Sequence, residues 1–76
     1  MNSEIVQIIS DSLGVPPESV TAGTSMETTP LWDSMMHMNI CLSVEQAFGV
    51  QLTPEEIIAM TSVAAIEETL KKKGRL

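Results

Sequence analysis

Leu31-Trp32-Asp33-Ser34-Met35-Met36-His37-Met38 (LWDSMMHM, residues 31–38) marks the start of a helix. Two threonines and Pro30 precede it, and a long apolar-periodic segment follows. Asp33 is a good N-cap, which puts Ser34 at the first helical position, on the surface. Residue type leaves three readings of Ser34 open. It is a helix-start residue, a nucleophile, or an acceptor for a group attached by another enzyme. A nucleophilic hydroxyl needs an adjacent base and an orienter for that base. The only histidine, His37, lies three residues on, and no motif supports a triad. A phosphate ester, by contrast, suits a helix N-terminus, where free N–H groups and the positive dipole end meet it.

Working outward, the segment after Ser34 reads as a helix over residues 34–48. Met35, Met38, Leu42 and Ala47 or Phe48 form the expected buried stripe, with Cys41 alongside and Gly49 as terminator. Upstream, residues 3–13 read as a first helix, with Ile5, Ile8, Ile9, Ser12 and Leu13 on one face and Gly14 closing it. Val15-Pro16-Pro17 forbids continuation. Residues 14–33 then form a long connection, of the kind that is functional or partly structured. Val20, Met26, Leu31 and Trp32 are expected to pin it to the core.

Downstream, Val50 and Leu52 alternate too briefly to make a strand. Thr53-Pro54-Glu55-Glu56 is a capping box with proline at the first helical position. It opens a short helix running to about Met60. Thr61 or Ser62 caps a last helix, with Val63, Ile66 and Leu70 on one face. Lys71, Lys72 and Lys73 complement its C-terminal dipole as a solvated terminus, and Gly74 ends it. The expected fold is all-α: a small four-helix bundle over residues 1–76, with a long first loop and a short third helix.

The bulk numbers narrow the function. A chain of 76 residues buries only about 60% of its unfolded surface and has no room for a deep enzyme cleft. Its net charge of −6 argues against nucleic acid and against an anionic membrane, and steers it toward basic patches on other proteins. A lone cysteine, Cys41, cannot staple the fold, and no signal or membrane-spanning run is evident; a cytoplasmic monomer is expected. Cys41 reads as a small buried hydrophobe. His37 reads as solvent-facing or at an interface, since it has no partners at metal-ligand spacing. Met35 and Met38 read as core, and Met36 as exposed.

From about Ile5 to Leu70 the chain resembles an acyl carrier protein of the phosphopantetheine-binding carrier superfamily. Asp33-Ser34-Met35 is similar to the family's Asp-Ser-Leu attachment motif. The apolar positions Met38, Cys41 and Leu42 follow it, then Glu45, Phe48-Gly49-Val50-Gln51-Leu52 and Pro54-Glu55-Glu56. Leu13-Gly14-Val15 and the long first loop fit as well. The resemblance implies a covalent 4′-phosphopantetheine on Ser34, placed there by a separate phosphopantetheinyl transferase. It implies a non-catalytic carrier whose arm holds acyl groups as thioesters. Its partners would be a loading ligase or transferase, acyl or aminoacyl, and downstream acyl-processing enzymes. Docking would involve Met35, Met36, His37, Asn39 and Glu45 of the second helix, and Glu55 and Glu56 of the third.

The chain departs from the pattern of fatty-acid carriers just after the motif. Acidic residues usual there are replaced by Met36 and Asn39, and only Glu45 keeps the acidic character farther along. This points to a specialised pathway, such as polyketide or nonribosomal peptide synthesis. A fatty-acid or an aminoacyl carrier is the alternative within the fold. An unmodified helical interaction module is the alternative outside the class. Trp32 either forms an apolar lip beside the attachment point or anchors the loop; anchoring is the preferred reading.

Overall fold

Each helix begins at a side chain that accepts from the first free N–H groups, and two of them end at a left-handed glycine. In the computed structural model, which describes residues 1–76, α1 spans Ser3–Leu13, α2 Ser34–Phe48, α3 Pro54–Ala59 and α4 Val63–Lys72. Asn2 Oδ1 accepts from Glu4 and Ile5 N–H at 2.9 and 3.1 Å. Asp33, Thr53 and Ser62 cap the other three. Each such cap is worth about 0.5–2 kcal/mol. α1 and α2 stop where Gly14 and Gly49 adopt φ of 70° and 63°, a conformation costly for any residue with a Cβ. No strand forms; Ser25 and Ser62 make one isolated antiparallel bridge.

The core is aliphatic with one indole. Ile5, Ile9 and Leu13 come from α1, Ile40, Cys41 and Val44 from α2, and Val63, Ile66 and Leu70 from α4. Val20 and Trp32 enter from the first loop, Leu52 and Met60 from either side of α3. On α1, Ser10 is buried and donates its hydroxyl to the Val15 carbonyl, while Ile8 and Ser12 sit half-buried at the edge.

The buried face of α2 is not the one the methionine spacing predicts. His37, Ile40, Cys41 and Val44 are buried. Met35, Met38 and Leu42 are 71%, 47% and 51% exposed, Ala47 is exposed, and Phe48 and Met36 pack half-buried on the core. The helix carries two apolar stripes on roughly opposite sides, so periodicity alone does not choose between them. Polar neighbours do. Burying the methionine stripe would draw Asn39 and Gln46 in with it, unpaired, and unpaired buried amides are costly. The other stripe contains a single polar group, His37, and that group is fully hydrogen-bonded.

The long loop is ordered by local and distant bonds. A 3-10 turn forms at Pro17–Ser19. Met26 N–H donates to Thr61 O at 2.9 Å, and Val63 N–H to Thr24 O at 3.0 Å, lashing the loop to the start of α4. Trp32, 2% exposed, is the anchor. Leu31, expected to help pin the loop, is 57% exposed instead; it sits at the outer corner of a turn closed by Trp32 N–H donating to Thr29 O at 2.9 Å, and Trp32 takes the inward position after it.

α3 is held from its flanks. None of its own residues is fully buried. Thr53 Oγ1 accepts from Glu56 N–H at 3.1 Å, and Glu56 Oε1 accepts from Thr53 N–H at 2.9 Å, completing the capping box. Lys73 donates to Glu56 Oε1 at 3.0 Å and to Gln51 O at 3.1 Å. Arg75 donates to Gly49 O at 3.3 Å. The basic terminus is therefore only partly solvated: Lys71 and Lys72 face water, while Lys73 and Arg75 strap the end of α4 to the α2–α3 connection.

Candidate functional site

The N-terminus of α2 presents Ser34 to solvent. Asp33 Oδ1 accepts from Met36 N–H at 2.9 Å and Asp33 O accepts from His37 N–H at 2.8 Å. The amides of Ser34 and Met35 donate to no protein acceptor. Two backbone donors and the positive end of a 15-residue helix thus surround one accessible hydroxyl, the arrangement that suits a phosphate oxygen.

His37 lies one turn on and is turned into the protein, 7% exposed. Its expected place in solvent or at an interface is overturned. Trp32 Nε1–H donates to His37 Nδ1 at 3.1 Å, and His37 Nε2 is 2.6 Å from Ile57 O. An indole nitrogen only donates, so Nδ1 is the acceptor and Nε2 carries the proton that goes to the carbonyl. Cys41 Sγ lies 3.6 Å from the same Nε2 as a weak second acceptor. Both ring nitrogens are committed inside the protein, so His37 is not a base for Ser34. No third His, Cys, Asp or Glu joins His37 and Cys41 to hold a metal.

Cys41 is buried and free, as its sequence context suggests. Burial, reinforced by the charge of Glu45, pushes its thiol up from the ordinary range. That keeps it protonated and a poor nucleophile.

The expected docking residues divide. Met35, Asn39 and Glu55 are exposed. Met36 is half-buried against the core. Glu45 Oε2 accepts from Leu52 N–H at 2.8 Å, so this carboxylate fixes the chain beyond α2. Glu56 serves the capping box and Lys73, and those bonds hold its carboxyl below the usual range. Met35, Met38 and Leu42, all assigned to the core by spacing, instead form an open apolar stripe that begins one residue after Ser34. The unpaired cost of Asn39 and Gln46 is the sequence signal that locates this stripe outside.

Charge is segregated along the chain. All ten acidic side chains precede residue 70, and the only four cations are Lys71, Lys72, Lys73 and Arg75. No cation is close in sequence to Ser34.

A family model described as a phosphopantetheine attachment site matches residues 3–70. That span takes in all of α1, α2 and α3 and most of α4, including the exposed serine at the head of α2. The chain belongs to the phosphopantetheine-binding carrier family, the acyl carrier superfamily, whose members bear covalently attached 4′-phosphopantetheine.

Proposed function

We propose that Ser34 is the attachment point of the arm, and that the protein carries acyl groups on it as thioesters for partner enzymes. The observation that carries this reading is an exposed Ser34 at the first position of α2, beside two unengaged amides, in a chain of this family. Attachment exchanges the Ser34 O–H bond for an O–P bond. The proton leaves, and the donor, a phosphopantetheine activated as a phosphoanhydride, loses its leaving group. Asp33 keeps its carboxylate on Met36 N–H, which leaves the Ser34 and Met35 amides to meet the phosphodiester. The thiol at the far end then forms the thioester, which is activated both for acyl transfer and for carbanion formation beside the carbonyl. The chain itself supplies no catalytic group for these steps; transferase, loading enzyme and acyl-processing enzymes supply them. The single thiol suits a reducing compartment, and the reading places the carrier in the cytoplasm as a monomer.

The pathway we favour is a specialised one, polyketide, nonribosomal peptide or related. Support comes from the face beside Ser34. Met35, Met38 and Leu42 are open, Asn39 lies among them, and Glu45 and Glu56 are occupied with backbone and lysine. Partners of this carrier then meet an apolar helix face, with charge acting mainly at long range. Met38→Glu combined with Asn39→Glu tests this. The pair should raise acceptance by fatty-acid-synthesis enzymes, whose basic patches favour acidic carriers. High rates with the wild type would favour a fatty-acid carrier.

Co-expression with a broad-specificity phosphopantetheinyl transferase tests the function itself. An unchanged mass would assign the bundle to a contact-only module.

A further inference from the structure

The Trp32–His37–Ile57 chain joins the end of the long loop, the first turn of α2 and α3 through one imidazole. Trp32 stands two residues before Ser34 and His37 three residues after it. Their 3.1 Å bond closes a buried bracket around the turn that carries the serine. The second ring nitrogen reaches Ile57 O at 2.6 Å, in a helix that has no fully buried residue of its own. The two rings lie 6.1 Å apart at 28°, so the bracket also packs as a near-parallel pair beneath the surface. Every other polar side chain at the head of α2 is exposed and only locally tied.

The geometry points to His37 as the positioning residue of the attachment site: it touches neither the serine nor the arm, but registers the loop, the first turn of α2 and α3 against one another. This rests on the carrier reading of Ser34. Its physical basis is preorganisation. A transferase acts on a hydroxyl held in one place, and a turn free to fray must be ordered at the moment of reaction. Leucine at this position fills the same region but offers neither an acceptor to the indole nor a donor to the Ile57 carbonyl. The indole N–H would then be left buried and unpaired, and Ile57 O would keep only the long bond from Met60 N–H at 3.4 Å, unless the turn opens to water.

The test compares wild type, His37→Leu, His37→Gln and Trp32→Phe as substrates of a purified broad-specificity phosphopantetheinyl transferase. Rates are taken by intact mass at a temperature where circular dichroism shows each variant folded. Amide exchange of residues 32–37 and 54–60 is measured in parallel. His37→Leu should lower kcat/KM for attachment by about tenfold, because both hydrogen bonds of the ring, to the Trp32 indole and to Ile57 O, are lost from the ordered turn. Exchange should quicken in both segments together. Glutamine, which offers an acceptor and a donor, should recover most of the rate. Trp32→Phe, which removes only the indole donor, should reproduce part of the loss and supports the same conclusion if His37→Leu does not fold. Wild-type rates and exchange in Trp32→Phe and in every folded His37 variant would overturn the proposal while leaving Ser34 as the attachment point. Failure of the wild type to take the arm at all would overturn the carrier reading, and this proposal with it.

Discussion

The indole N–H of Trp32 donates to Nδ1 of His37 across 3.1 Å, inside the protein. Because indole nitrogen cannot accept, this one bond sets the tautomer of the only imidazole in the chain. The neutral ring should carry its proton on Nε2, bonded to Ile57 O. The nitrogen shifts of 15N-labelled His37 distinguish the tautomers directly. A proton on Nδ1 would break the assignment.

Ile40 and Met38 sit two residues apart on α2 and face opposite ways, 0% and 47% exposed. Truncating a fully buried isoleucine costs about 2–5 kcal/mol, whereas a surface change stays within about 0.5 kcal/mol. Ile40→Ala should therefore lower the urea midpoint sharply, and Met38→Ala should barely move it. The reverse order would put the methionine stripe back in the core.

Glu56 links stability to pH. Its carboxyl is held below the usual range first by the Thr53 backbone N–H and then by Lys73. A depressed folded value means the charged form stabilises the native state. That contribution is complete above the ordinary glutamate range and is lost as pH falls through the lowered folded value. Glu56→Gln should flatten the acid limb of the stability curve and leave the shape at neutral pH alone. An unchanged acid limb would show that the box and the lysine contribute nothing through this charge.

Cys41 should resist iodoacetamide in the native protein and react once urea exposes it, since burial both hides the thiol and raises its ionisation range. In protein bearing the arm, the distal thiol should then be the one native labelling site. Peptide mapping of briefly alkylated protein reads this, and rapid labelling at Cys41 would contradict its placement.

Much of the fold was legible in residues whose effect is local. Asp33, the Thr53–Glu56 box, Gly14 and Gly49 act within one turn, so their neighbours in sequence reveal them; the cap of α4 was narrowed to Thr61 or Ser62, and the structure selects Ser62. Val63, Ile66 and Leu70 were legible too, because α4 has only one apolar face. α2 was not, because Met35, Met38 and Leu42 keep helical spacing as well as His37, Ile40 and Val44 do. What settled its orientation was the company each stripe keeps, Asn39 and Gln46 on one side and a satisfiable His37 on the other. The candidate site divided the same way. Ser34 and Asp33 stood out from cap chemistry and motif. The Trp32–His37–Ile57 chain did not, because its last partner is a backbone carbonyl 20 residues away, and a carbonyl leaves no mark in a sequence. The double duty of Lys73 and Arg75 escaped for the same reason.

The most direct measurement is the intact mass of the protein co-expressed with a phosphopantetheinyl transferase, alongside Ser34→Ala. The account predicts a gain of one phosphopantetheine on the wild type and none on Ser34→Ala. No gain on the wild type, or an equal gain on Ser34→Ala, would contradict it.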